Sequence, residues 1–281
     1  MKLAKDLMNT PITIEKDDKI TDVIKKLLDH KISRIIVTHK GNPLGIVSEK
    51  DLALFLLEDK TKRTMNEIPL EEIMKGLVMA NPHSTIKQCA TMMLDEKISS
   101  LAISTGDKVQ GILTKTDLTK FYAENCVGKR TVGEFMTSVY SWAYADDPLY
   151  KVLSKMIRKR ISRIILRNEN EEPVGVLSFK DLFKTALQSG NKKIIKEQKP
   201  NLSVTVFRKG FASESGFGKI TQAKDMMTGK IISVNYDDDL AKVCKILLDK
   251  KIHGAGVLSA RNSLVGIISK TDVAQAIATM D

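Results

Sequence analysis

The chain has 281 residues, 42% of them hydrophobic and 28% charged, and so can bury one large core or several small ones. No run of about 18 apolar residues occurs, which excludes a membrane-spanning helix, and the opening Met1-Lys2-Leu3-Ala4-Lys5-Asp6 lacks the apolar stretch of a secretory signal, so a cytoplasmic protein is expected. The formal charge is +11 and uneven: 21 basic residues face 19 acidic ones up to residue 140, and 24 face 15 beyond it.

In chain order, Thr10-Pro11-Ile12-Thr13-Ile14 predicts a short strand and Asp17-Asp18 a helix opening. Ile20, Val23, Ile24, Leu27 and Leu28 then recur at helical spacing as a core stripe. Ser33-Arg34-Ile35-Ile36-Val37 reads as a second strand and Gly41-Asn42-Pro43 as a turn. The unit closes on Gly45-Ile46-Val47-Ser48-Glu49-Lys50-Asp51-Leu52, a strand running into a helix. The same succession returns three times, ending in Gly111-Ile112-Leu113-Thr114-Lys115-Thr116-Asp117-Leu118, in Gly175-Val176-Leu177-Ser178-Phe179-Lys180-Asp181-Leu182 and in Gly266-Ile267-Ile268-Ser269-Lys270-Thr271-Asp272-Val273. Repeats are therefore assigned to 1–64, 65–126, 127–188 and 221–281, with a connector at 189–220.

In each closing motif the hydroxyl and the Asp three residues on form a capping box for the helix they open. A helix start with free amides also attracts phosphate, and a nearby Asp can accept from ribose hydroxyls. Upstream of each motif an acidic turn ends in Met: Asp6-Leu7-Met8, Glu72-Ile73-Met74, Glu134-Phe135-Met136 and Asp225-Met226-Met227. With these turns, the four motifs resemble the cystathionine-β-synthase (CBS) domain family in its four-repeat form, similar to the gamma subunit of AMP-activated protein kinase and its archaeal relatives.

The resemblance implies an α/β (α+β) fold of four β-α-β-β-α CBS repeats, paired as two Bateman modules in a flat pseudo-symmetric disc. Arg34 and Arg163 alternate with Ser100 and Gly254 at one strand position, so repeats one and two are expected to form one module and repeats three and four the other. It further implies that AMP, ADP or ATP binds without hydrolysis, with Asp51, Asp117, Asp181 and Asp272 on the ribose and Ser48, Thr114, Ser178 and Ser269 lining ribose and phosphate. Arg34 and Arg163 match a phosphate-contacting position, and His253 stands one residue before it, as a phosphate contact or an ordinary strand-end histidine. Thr13 and Ser233 match a position that meets adenine, whereas Met79 and Trp142 hold it in the other repeats. Trp142 can stack on a base or plug its own pocket, so fewer than four occupied sites are expected. Lys50 and Lys180 precede the Asp in odd repeats, Thr116 and Thr271 in even ones, which predicts non-equivalent sites.

The four histidines are scattered and Cys89, Cys126 and Cys244 form no CxxC pair, so no metal site and no catalytic centre are expected. The cationic excess gathers on the third repeat's helix, at Arg158, Lys159 and Arg160, and in the connector at Lys192, Lys193, Lys196, Arg208 and Lys209, where Phe and Gly are interleaved. Such a surface fits a nucleic-acid backbone and exposed bases as well as it fits a solvated linker. The expectation is a nucleotide-binding regulatory protein that signals to a macromolecular partner, a regulated protein or RNA. The alternative is an RNA- or ribosome-associated protein acting mainly through the basic half.

Overall fold

The structure is a computed structural model that describes residues 2–58, 61, 63, 65–106, 108–179, 181 and 221–280. A short helix, α1 (Ala4–Leu7), opens the first repeat. That repeat runs β1 (Thr13–Glu15), α2 (Ile20–Asp29), β2 (Arg34–His39), β3 (Asn42–Ser48) and α3 (Glu49–Glu58). The crossover helix makes β1 and β2 parallel, with Thr13 opposite Ile36, and a tight hairpin makes β2 and β3 antiparallel, with Arg34 opposite Ser48. Lys40 and Gly41, both in the left-handed region (φ 51° and 81°), make the two-residue turn that this hairpin twist requires.

The helix of the first repeat starts one residue later than its sequence suggests. Lys19 is the cap position of α2, and Asp18 instead accepts from the Glu15 amide at 3.1 Å, closing the turn before the helix. The buried face of α2 is Ile20, Val23, Ile24 and Leu27, most of the stripe read from the sequence.

The second repeat holds β4 (Met79–Ala80), α4 (Ile86–Asp95), β5 (Ser100–Thr105), β6 (Lys108–Thr114) and α5 (Lys115–Asn125). The third holds β7 (Trp142–Tyr144), α6 (Leu149–Arg158), β8 (Arg163–Arg167) and β9 (Pro173–Ser178). The fourth holds β10 (Thr228–Gly229), β11 (Ser233–Asn235), α7 (Leu240–Asp249), β12 (Gly254–Leu258), β13 (Leu264–Ser269) and α8 (Lys270–Ala278). Each repeat has its own small sheet, and β10 adds a fourth strand to that of the third repeat. Among the described residues no helix is long and apolar enough to cross a membrane.

The chain divides into two compact units. One consists of residues 1–11, 77–140 and 232–281, the other of 12–76 and 141–231. In the first, α8 packs on α4 and α5, α5 packs on α7, and Cys89, Met93, Leu118, Tyr122, Leu240, Cys244 and Leu247 share one core. In the second, residues of repeats one and three, among them Val23, Leu27, Leu52, Val152, Met156 and Phe179, share the other. A single helix pair is too small to close a core, so each repeat completes its apolar face on another repeat. The alternation of Arg34, Ser100, Arg163 and Gly254 does not announce that cores join one with three and two with four. The sequential pairs are instead linked by exchange of their opening segments. Residues 3–9 bridge onto Thr85 and Ile112 of the second repeat, and Lys75 bridges onto Ile46 of the first. Likewise Thr131 and Thr137 bridge onto Asp239 and Ile267 of the fourth, and Thr228 pairs with Val176 of the third.

Candidate functional site

Each Gly-to-Asp motif lies where a strand becomes a helix, and in the first, second and fourth repeats it is a reciprocal capping box. Asp51 and Asp117 donate their amides to Ser48 Oγ and Thr114 Oγ1 at 3.2 and 3.4 Å. The carboxylates answer through Oδ2, accepting the amides of Ser48, Thr114, Ser178 and Ser269 at 3.1, 2.8, 2.9 and 2.7 Å. The cap hydroxyls donate to the same oxygens, as between Ser48 and Asp51 and, at 2.7 Å, between Thr114 and Asp117. One carboxylate oxygen is thus committed to the helix start in every repeat.

The other oxygen meets the exchanged segment. Asp117 Oδ1 accepts from Asn9 Nδ2 at 2.8 Å, Asp181 Oδ1 from Thr228 Oγ1 at 3.1 Å, and Asp272 Oδ1 from Thr137 Oγ1 at 3.2 Å. In the first repeat the partner is a cation, with Lys75 Nζ at 2.7 Å from Asp51 Oδ1. Asn9, Lys75, Thr137 and Thr228 all stand directly after the last Met of an acidic turn, a position the motif reading passed over although the repeat spacing marks it.

The motif glycines are explained by the same contact. A Cβ on Gly45 would meet Lys75 O at 2.7 Å and Met74 Sδ at 3.0 Å, and one on Gly111 would meet Met8 Sδ at 2.6 Å. A Cβ on Gly175 would likewise collide with Met227 Sδ, and one on Gly266 would meet Met136 Sδ at 2.8 Å. These glycines provide close approach, and the Met of each acidic turn is what approaches.

Register brings several of the remaining candidate residues to this place. Arg34, Ser100, Arg163 and Gly254 lie directly across from the cap residues Ser48, Thr114, Ser178 and Ser269. Two residues along, Ile36, Ala102, Ile165 and Gly256 pair with Thr13, Met79, Trp142 and Ser233 of the first strands, so these four hold one structural position. His253 is exposed, and its carbonyl accepts from the Lys270 amide at 3.0 Å. Gly254 has no room for a side chain, since a Cβ would meet Ile268 O at 2.8 Å.

The repeats differ in how these positions are packed. The ring of Trp142 packs edge-on against Tyr144 at 5.2 Å, with the Arg167 guanidinium at 4.9 Å and Lys155 Nζ at 5.3 Å from its centre, a cation–π arrangement. The ring is therefore already packed inside its own repeat. Thr116 and Thr271 serve each other's repeats: Lys115 Nζ donates to Thr271 Oγ1 at 3.2 Å and Lys270 Nζ to Thr116 Oγ1 at 3.0 Å, both lysines being buried.

Burial pushes the Asp272 carboxyl up, against the pull of its bonds from Ser269 and Thr137. Lys50 is pushed down, first by burial and then by the positive charges of Lys75 and Arg160, with Asp51 opposing. Lys180 and the connector residues Lys192, Lys193, Lys196, Arg208 and Lys209 lie outside the described residues. Arg158, Lys159 and Arg160 are exposed at the end of α6.

The profile of the family described as "CBS domain" matches residues 4–58, 70–124, 132–187 and 223–279. The crystal structure of protein MJ1225 from Methanocaldococcus jannaschii, proposed as an archaeal homolog of g-AMPK, aligns with a TM-score of 0.79 at 17% identity, covering 99% of this chain and 100% of that one. Protein MJ1404 from the same organism is 27% identical over 135 residues, 44% of this chain and 32% of its own length. A CBS domain protein from Pyrobaculum aerophilum, complexed with AMP, covers 42% of this chain and 90% of its own at 16% identity and a TM-score of 0.38. The chain spans about a third or less of the curated relatives that head the comparison, at 32%, 28% and 26% of their lengths.

Proposed function

The chain belongs to the CBS domain family, and from that premise we propose that it is a non-enzymatic regulatory protein that binds an adenine nucleotide, AMP, ADP or ATP, at its Ser/Thr-x-x-Asp motifs. It passes the state of those sites to a macromolecular partner. The carrying observation is the divided carboxylate. In each motif Oδ2 holds the helix start and Oδ1 holds the exchanged segment, as at Asp272 with Ser269 and Thr137. A ribose diol that draws on Oδ1 therefore acts on a segment belonging to another repeat, which gives ligand binding a mechanical consequence. A hydroxyl, a carboxylate and the amides of a helix start suit ribose and phosphate together. Arg34, directly opposite Ser48, adds a guanidinium of the kind that grips phosphate.

The test is calorimetry of the full chain with AMP, ADP and ATP. Saturable binding weakened by Asp51→Ala or Asp272→Ala supports the reading, and no heat with any of the three overturns it. Trp142, packed on Arg167 and Tyr144, supports the expectation that fewer than four motifs are occupied.

A second reading, an RNA- or ribosome-associated protein, draws on one observation. Arg158, Lys159 and Arg160 are exposed together at the end of α6, whereas Lys151 and Lys155 of the same helix are engaged by Asp147 and by the Trp142 carbonyl.

A further inference from the structure

The four junctions between motif and exchanged segment are alike in backbone pairing and differ in the donor they offer the aspartate. Asn9, Lys75, Thr137 and Thr228 each pair with the residue that follows a motif glycine: Ile112, Ile46, Ile267 and Val176. Three of them offer the Asp a neutral donor, an amide or a hydroxyl. Lys75 offers an ammonium, at 2.7 Å. A carboxylate that accepts from a neutral donor has its charge uncompensated, so a diol can join it without disturbing a second charge. Asp51 is instead half of an ion pair, and a diol that recruits Oδ1 weakens the hold on a positive charge.

The two partners differ in freedom. The Asp51 side chain is 10% exposed and tied to Ser48, whereas that of Lys75 is 64% exposed and can swing aside. What surrounds Asp51 is cationic as well. Lys50 is its neighbour in sequence, and the fields of Lys75 and Arg160 both act on that lysine, which burial already disfavours as a cation. A neutral ligand leaves this cluster short of negative charge, while a phosphate supplies it.

We propose that Lys75 makes the first repeat's site selective for phosphate-bearing adenosine ligands over neutral adenosine: the diol takes Asp51, and the released ammonium takes the phosphate. The inference rests on the nucleotide-binding reading above and assigns the ligand class of one of its sites.

The experiment is titration of the full chain with adenosine, AMP and ATP, in the wild type, in Lys75→Thr, which installs the residue found at two of the other junctions, and in Lys75→Arg. Asp51→Ala identifies the heat that belongs to this site. An AMP-over-adenosine preference of about tenfold or more is expected in the wild type and in Lys75→Arg, and in Lys75→Thr its reduction by about fivefold or more, down to what Arg34 alone sustains. Because Lys75 is exposed, all three proteins are expected to melt together, which separates this effect from misfolding. A preference undiminished in Lys75→Thr, or adenosine bound as tightly as AMP in the wild type, overturns this inference alone. No Asp51-dependent binding of any of the three ligands overturns the nucleotide reading as well.

Discussion

Met8 lies so closely over Gly111 that a methyl group on the glycine would come within 2.6 Å of its sulfur. The two residues stand 103 positions apart, and the same pairing recurs as Met74 on Gly45, Met136 on Gly266 and Met227 on Gly175. One device, a methionine seated on a glycine, thus fastens each exchanged segment to the repeat that receives it.

Gly→Ala substitutions separate two kinds of crowding at these seats. At Gly111 the three nearest atoms are all in the Met8 side chain, whereas at Gly45 the nearest is the backbone oxygen of Lys75, at 2.7 Å. Both Gly111→Ala and Gly45→Ala are expected to cost about 1–3 kcal/mol by overpacking. Adding Met8→Ala should recover part of the loss at Gly111, because the obstructing side chain is gone. Adding Met74→Ala should recover little at Gly45, because the carbonyl stays. Chemical denaturation of the two double-mutant cycles checks this, and equal recovery at both sites contradicts it.

Much of this was legible in the sequence, because local chemistry carries it. Ser48 and Asp51 are three residues apart, the spacing at which a hydroxyl and a carboxylate reach one another across the first helical turn, so the caps could be read without a fold. The strand–helix–strand–strand–helix order followed from the apolar period for the same reason. Partnership was not legible. Nothing local to Asn9 says that its amide reaches Asp117, 108 residues away, or that Cys89 and Cys244 share a core, since such contacts depend on how repeats stack. Lys75 shows the limit best: it looks like one more surface lysine until its position after Met74 is compared with Asn9, Thr137 and Thr228.

The thiols offer a check on the core of the first unit. Cys89, Cys126 and Cys244 are free and buried, and burial pushes Cys89 to about 11 and Cys244 to about 12 from an ordinary value of 9.0. A value raised in the folded state means that the folded protein holds these protons longer. The stability linked to them is full below pH 9 and is lost as the pH climbs through 9 towards 11 and 12. A disulfide reagent at pH 8 should therefore label native protein slowly and find all three thiols quickly after denaturation. Immediate reaction of three thiols in the native state would show that this core is not closed.

The basic surface of α6 makes the RNA reading testable. Replacing Arg158, Lys159 and Arg160 with Gln should weaken any RNA binding and lower the salt slope by roughly 2–3, if each contacts a phosphate. Lys25→Gln with Lys31→Gln is a matched control, because Lys31 and Arg160 hold the same left-handed backbone after their helices, at φ 54° and 55°. Filter binding across a salt series reads both quantities. Equal losses from the two sets, or no binding at low salt, would exclude a localised RNA surface on α6.

Nucleotide binding at these motifs requires a ribose diol to reach the Oδ1 atoms of their aspartates, and the most direct measurement compares AMP with 2′,3′-dideoxy-AMP by calorimetry on the full chain. The two ligands share base and phosphate and differ only in the hydroxyls that Asp51, Asp117, Asp181 or Asp272 would accept from. Hydrogen bonds to a charged group contribute about 1.5–3 kcal/mol, so AMP should bind at least about tenfold more tightly, and Asp→Ala at the occupied motif should erase that difference. Equal affinity for the two ligands, or a difference that persists after the aspartate is removed, would contradict the account.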